Sequence, residues 1–204
     1  MFVSEVDLGE PNAQTSGPSY LLWENADGLI ADWAMNGNNL IAANFVYGNP
    51  NPSWQAIGMG NFGGGPSDIL FQNTGGEAAV WEMNGTHRIG ATDLVHSLGP
   101  SWKAIGTGDF NADGHSDILL QNTSSGQVAI WEMNGTNVIG GGTLGLDPGP
   151  SWHAIGTGGA GSPDILFQNT NGQAAIWEMS GTNIVGGGTV SPNPGSSWRA
   201  VGLS

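Results

Sequence analysis

Two phrases recur through this chain at one spacing. Ser-Trp-x-Ala-(Ile/Val)-Gly stands at Trp54, Trp102, Trp152 and Trp198, in steps of 48, 50 and 46 residues. Trp-x-Met-(Asn/Ser)-Gly runs in step with it at Trp33, Trp81, Trp131 and Trp177. A period of this size means one supersecondary unit copied along the chain, each copy burying its apolar faces against the next. Residues shared by every copy are then scaffold first. Residues that one copy holds alone are the better functional clue.

The third copy shows the unit most plainly. Trp102–Gly106, Asp117–Asn122, Gln127–Met133 and Thr136–Gly140 are short apolar runs separated by Gly, Asn and Ser clusters. Runs of this length between turn residues read as β-strands. Asn36-Gly37, Asn84-Gly85 and Asn134-Gly135 sit between the last two runs, with Ser180-Gly181 in the fourth copy. Asn-Gly is a hairpin signal of the type I′ kind. Thirty-six glycines oppose helices. Four strands in about 48 residues, repeated, is the arithmetic of a propeller blade.

The first copy enters at its second strand, since Tyr20–Asn25 corresponds to Asp68–Asn73. The final Ser197–Gly202 is a first strand with no followers. The expected fold is therefore all-β, a β-propeller of four-stranded antiparallel blades. Its four blades are 19–47 plus 197–203, 53–95, 101–144 and 151–190, in one domain over 19–204 closed by the C-terminal strand. The alternative is a homo-oligomer in which two chains exchange terminal strands or build a larger ring. Residues 1–18 form an N-terminal arm or an extra strand.

Charge narrows the partners. Seventeen acidic side chains face three basic ones, for a net charge of −14. Lys103, Arg88 and Arg199 are scattered, so nucleic acid is excluded, because phosphate neutralisation needs clustered cations. No stretch has the apolar length to insert in a membrane as a helix. Met1–Asp7 carries neither the basic start nor the apolar core of a signal peptide.

One loop carries chemistry. Asp109-Phe110-Asn111-Ala112-Asp113-Gly114-His115-Ser116-Asp117 places oxygen side chains at positions one, three, five and nine, with Gly at six. Calcium takes 6–8 oxygen ligands. Asp109, Asn111, Asp113 and Asp117, with the carbonyl of His115, are the candidate set for one structural Ca2+. The competing reading is an Asx-rich polar turn. Asn61–Asp68 and Gly159–Asp164 are shorter and have lost the ligands.

This loop, followed by the Gln-Asn and Trp-Glu-Met-Asn-Gly phrases, resembles the bacterial VCBS/FG-GAP repeats, relatives of the integrin α-subunit propeller. The resemblance implies a propeller, calcium in the Asp-rich loop, and an extracellular or cell-surface module of adhesive, lectin-like or accessory kind.

Further sets recur. Glu82, Glu132 and Glu178 follow the repeated Trp; they form an acidic ring if they face the channel, and brace strand ends otherwise. Trp54, Trp102, Trp152 and Trp198 stack on sugars in a lectin, or pack in the core. Gln72, Gln121 and Gln168 stand at strand ends, where they satisfy loop backbone or meet sugar hydroxyls. The histidines His87, His96, His115 and His153 share no repeat position and no nucleophile phrase. No catalytic residue is assigned. The expected function is a non-enzymatic binding module for carbohydrate or a protein surface. The alternatives are an assembly unit of an exported repeat protein, or a glycan-active hydrolase or lyase using the glutamates.

Overall fold

The computed structural model describes residues 17–46, 53–63, 65–94, 99–159 and 163–203. The expected arm over 1–18 lies, save for Gly17 and Pro18, outside the described residues. Among these residues there are fifteen strands and no helix. The first sheet has three strands, β1 (Ser19–Glu24), β2 (Ile30–Asn36) and β3 (Asn39–Val46). The second has β4 (Trp54–Gly60), β5 (Asp68–Asn73), β6 (Ala78–Asn84) and β7 (His87–Asp93). The third has β8 (Trp102–Gly108), β9 (Asp117–Asn122), β10 (Val128–Asn134) and β11 (Asn137–Thr143). The fourth has β12 (Trp152–Gly158), β13 (Asp164–Asn169), β14 (Ala174–Ser180) and β15 (Asn183–Thr189). Each sheet is an antiparallel meander in chain order.

The turn chemistry differs from expectation in one respect. Asn84 still pairs with His87, so the two loop residues are Gly85 and Thr86 rather than Asn84 and Gly85. Only the glycine has a positive φ, +59°. That is the type II′ pattern, Gly at the first central position, and it also fits the right-handed strand twist. A register shift follows at Glu82/Met83, and recurs at Glu132/Met133 and Glu178/Met179.

The strands are apolar on both faces because each inner sheet is covered on both sides. Leu22, Ile30 and Val46 pack against Ile69, Phe71 and Trp81 between the first and second sheets. Leu70 and Val80 meet Ile118 and Leu120 between the second and third. Leu119 and Ile130 meet Ile165 and Phe167 between the third and fourth. The first strands β4, β8 and β12 lie side by side where the sheets converge. Thr107 Oγ1 donates to the Met59 carbonyl at 2.6 Å and Thr157 Oγ1 to the Thr107 carbonyl at 2.9 Å. This is a propeller-like arrangement.

A second device fixes the spacing of the sheets. Gln72 Nε2 donates to the Trp102 carbonyl, and its Oε1 accepts the Ala104 N–H, both at 3.0 Å. Gln121 does the same to Trp152 and Ala154, both at 2.8 Å. The side-chain amide mimics a peptide group, so the second strand of one sheet grips the first strand of the next. In the first sheet Glu24 takes this place, its Oε2 accepting the Ala56 N–H at 3.2 Å. Burial raises the Glu24 carboxyl above the usual range, against the effect of that amide.

The C-terminal segment does not pair with the first sheet, contrary to expectation. Sheet one has no strand beside β1 among the described residues. The tail instead docks on the fourth sheet. Trp198 N–H donates to the Gly195 carbonyl at 3.1 Å, the same bond that Trp102 makes to Gly99 and Trp152 to Gly149. Gln168 then grips the Trp198 carbonyl at 2.8 Å and the Ala200 N–H at 3.0 Å. The physical reason is locality. The glycine turn and the glutamine clamp act between neighbours in sequence, whereas reaching β1 requires the stack to bend through a full circle. No hydrophobic cluster joins the first and fourth sheets among the described residues.

One close approach between sheets gives a stability prediction. Gly126, φ +89°, turns between β9 and β10, and a Cβ there would lie 2.2 Å from the Gly149 backbone. Both the left-handed backbone and the contact forbid a side chain. Gly126→Ala should cost about 2–3 kcal/mol. Urea titration of this variant against Gly145→Ala, where the space is open, checks the figure; equal midpoints would refute it.

Candidate functional site

The Asp109–Asp117 loop is built from its own amides. Asp109 Oδ1 accepts Asp113 N–H at 3.1 Å and its Oδ2 accepts Gly114 N–H at 2.9 Å. Asn111 Oδ1 accepts Asp113 N–H at 3.0 Å, and Asp113 Oδ1 accepts His115 N–H at 2.8 Å. Ala112 is held at φ +60°, the one non-glycine residue with a positive φ among those described. Three successive Asx oxygens thus fold back over a tight loop.

Asp117 does a different task. Its Oδ2 accepts the Phe110 and Asn111 N–H groups at 2.9 and 3.2 Å, and its Oδ1 accepts Met133 N–H at 2.8 Å. It is fully buried. Burial raises its carboxyl; the amides of Met133, Asn111 and Phe110 oppose this, and the nearby Asp113 charge adds to it. Asp68 makes the same clasp to Phe62 and Met83 at 2.8 and 2.7 Å. The aspartate that ends the loop therefore ties loop to third strand even in a shorter copy that keeps only Asn61 of the other oxygen positions.

The loop is also bolted to its neighbour. Asn61 Nδ2 donates to the Gly114 carbonyl at 2.8 Å, Asn61 N–H to Ser116 Oγ at 3.0 Å, and Ser116 N–H to the Asn61 carbonyl at 2.7 Å. It spans the second and third sheets. Among the described residues no three Asp, Glu or His side chains converge on a metal-sized point. The donors nonetheless fit a hard cation. Asp109, Asn111, Asp113 and the His115 carbonyl offer oxygen only, and each carboxylate oxygen keeps a second lone pair beyond its amide bond.

The repeated tryptophans divide. Trp54, Trp102 and Trp152 are partly buried against the three inter-sheet cores. Trp198 is 67% exposed. It lines a cleft of about 340 Å³ with His153, Gln168, Asn169 and Arg199. In the second set, Trp81 and Trp131 are buried, and Trp81 carries Arg88 over its ring at 4.7 Å. Glu82, Glu132 and Glu178 sit on the third strands, opposite Gly90, Gly140 and Gly186. Each carboxylate lies against the bare face of its glycine, where a Cβ would meet it at 2.2–2.3 Å. The three sit on the third strands of separate sheets, whereas the first strands are those that lie side by side where the sheets converge. His87 and His153 are exposed; His96 lies outside the described residues.

Two features stand apart from these sets. Asp32 is fully buried with neither oxygen hydrogen-bonded. Burial pushes its carboxyl up to about 7; the Trp33 amide opposes this without reaching hydrogen-bond geometry. The signal was available, since Val80, Ile130 and Ile176 occupy the same repeat position. The second feature is a pair of open sheet faces. Leu21, Trp23, Ala31 and Trp33 are partly exposed where their counterparts Ile69, Phe71, Ala79 and Trp81 are at most 5% exposed. At the other end Ile176 and Val190 border a cleft of about 460 Å³ on the outer face of the fourth sheet. Their counterparts Ile130 and Leu144 are buried.

No protein-family profile matches the chain, and no curated protein matches it significantly. Among solved structures it is similar to a protein of unknown function from Bacteroides caccae, with 13% identity and a TM-score of 0.47. The similarity covers 88% of this chain and 60% of that one, so the chain spans under two thirds of its length.

Proposed function

We propose that the chain is a non-catalytic binding module of the VCBS/FG-GAP kind, with one structural calcium in the Asp109 loop and a protein surface as its partner. The observation that carries the protein partner is the open face of the first sheet. Leu21, Trp23, Ala31 and Trp33 present an apolar surface that every inner sheet covers with its neighbour, beside a β1 edge without a described strand partner. An unpaired edge next to an apolar face suits strand addition by another polypeptide. Selection from a displayed-peptide library should return extended, alternating apolar sequences that Trp33→Glu no longer binds. Peptides indifferent to that change would refute the reading.

A carbohydrate partner is the second reading, favoured by Trp198 beside amides in the 340 Å³ cleft. A glycan array decides it, since saturable glycan binding lost on Trp198→Ala would replace the first reading.

Calcium in the loop would bridge the second and third sheets through Asn61 and Ser116, so its role is stabilisation. A cation that binds only the folded state adds about 2.7 kcal/mol at a hundredfold excess over Kd. Thermal melts with calcium and with chelator should therefore differ by several degrees, and Asp113→Ala should erase the difference. Superimposable wild-type melts would mean the loop is a polar turn alone.

A further inference from the structure

The two ends of this chain are complementary. The tail is already set in the conformation of a first strand. It has the glycine turn of Trp102 and Trp152 and the glutamine grip of Ala104 and Ala154. Yet Trp198 and Val201 are 67% and 88% exposed, and no described second strand lies against them. At the other end β1 is a second strand without a described first strand. Among the described residues, the tail and the first sheet each lack what the other presents.

The register of the inner sheets says how they would fit. Trp102 pairs with Asn122, Lys103 with Gln121 and Ala104 with Leu120. Trp54 with Asn73, Gln55 with Gln72 and Ala56 with Phe71 repeat that pattern. Carried to the ends, it sets Trp198 opposite Asn25, Arg199 opposite Glu24 and Ala200 opposite Trp23. Arg199 is one of only three basic side chains in the chain, and Glu24 is the one carboxylate in a position held elsewhere by Gln72, Gln121 and Gln168. Opposite charges directly across a strand pair stabilise it. The face of Leu21, Trp23, Ala31 and Trp33 would then cover Ile176 and Val190, as Ile69, Phe71 and Trp81 cover Leu22, Ile30 and Val46 within the chain.

Resting on the protein-partner reading above, we propose that the partner is a second copy of this chain. The tail of each copy adds to the first sheet of the other, with Arg199 paired to Glu24, closing a ring of eight sheets from two chains. The fitted ends are different surfaces, so the contact is heterologous, and two such contacts close the ring. Eight blades lie within the usual range for propellers. Self-closure at four sheets would need the first and fourth sheets of one chain to share a core, and no described cluster joins them.

The test is light scattering on the full chain and two charge-reversed variants, alone and mixed. The wild type should have the mass of a dimer, held more tightly as salt rises, because a net −14 on each copy repels at long range. Arg199→Glu and Glu24→Lys should each weaken association about 100-fold or more, since like charges then face each other. An equimolar mixture of the two should restore the dimer. At one contact the two substituted side chains meet as an opposite-charge pair, and at the other Arg199 meets Glu24. Self-closure cannot be rescued by mixing. A monomeric wild type at every concentration and salt would overturn the proposal, as would single variants that remain dimers. Library peptides that bind a monomeric wild type and are lost on Trp33→Glu would leave the protein-partner reading standing while the second copy falls.

Discussion

Asp117→Ala should cost this fold about 3–5 kcal/mol, the largest loss expected from any single change to the loop. The carboxylate accepts three backbone N–H groups, from Phe110, Asn111 and Met133. Alanine leaves the Met133 donor buried without this acceptor, and takes from the Phe110 donor an acceptor that supplements its tight turn bond to the Gly108 carbonyl. Each buried amide so deprived costs about 1–3 kcal/mol. The same clasp anchors Phe110, a wholly buried side chain in the core between the third and fourth sheets. Asp164→Ala is the internal control. That aspartate holds the Met179 N–H at 3.0 Å and is only partly buried, so its loss should cost less than half as much. Denaturant titrations of both variants, run in chelator to remove any metal contribution, measure the difference. Equal midpoints would show that the amide clasp is not what holds the loop.

This result bears on how the loop is understood. By pattern alone Asp117 is the ninth-position oxygen of a calcium loop. The structure gives it a backbone task that Asp68 shares in a copy nearly stripped of other ligands. Asn111 and Asp113 have no counterparts in the second and fourth copies, and Asp109 only Asn61 in the second. Variants at those three positions should therefore remove the calcium response along with their exposed amide bonds, while the cost of variants at Asp117 is the same with or without the ion.

The sheets are legible in the sequence because their signals are local. Apolar runs bounded by glycine turns specify strands of about five to seven residues, and a repeated phrase specifies repeated sheets. Even so, the Asn84-Gly85 signal lies one residue out of register with the turn, because sequence marks a turn while pairing fixes which two residues span it. The amide clamp of Gln72, Gln121 and Gln168 is hidden for another reason. Its partners are on the next sheet or the tail, about 30 residues on, and no local pattern points there. Ring closure is the least legible element. It depends on the small rotation between successive sheets summed over the stack, and that angle is set by packing of whole faces rather than by any residue at the ends. The glutamates are harder to place for a related reason. Their neighbours are glycines on the adjacent strand, so orientation follows from register, which a single repeat does not reveal.

Replacing Asp32 by Val should stabilise the protein by on the order of 3–4 kcal/mol above pH 7, and by progressively less as the pH is lowered. Asp32 sits between the first and second sheets, cross-strand from Leu22 and Asn44, in the place of Val80, Ile130 and Ile176. Neither of its oxygens has a hydrogen-bond partner. In the unfolded chain it titrates near 3.8, and in the fold burial pushes it to about 7. Between these values the folded state holds a proton that the unfolded state has released. Stability from this group is thus greatest below pH 3.8, falls as pH rises toward 7, and is constant above. Valine has no proton to hold and adds apolar area to the core of Leu22, Ile30 and Val46. Its advantage should therefore follow the titration of Asp32. Asp32→Asn separates the two causes: it removes the ionisable group but leaves a polar one, so it should flatten the pH slope while recovering only part of the gain. Chemical denaturation of the three proteins at about pH 4.5, 6 and 8 supplies the comparison. A valine advantage that is the same at all three pH values would mean that Asp32 is not protonated in the fold, and that it has a partner or water which relieves its burial.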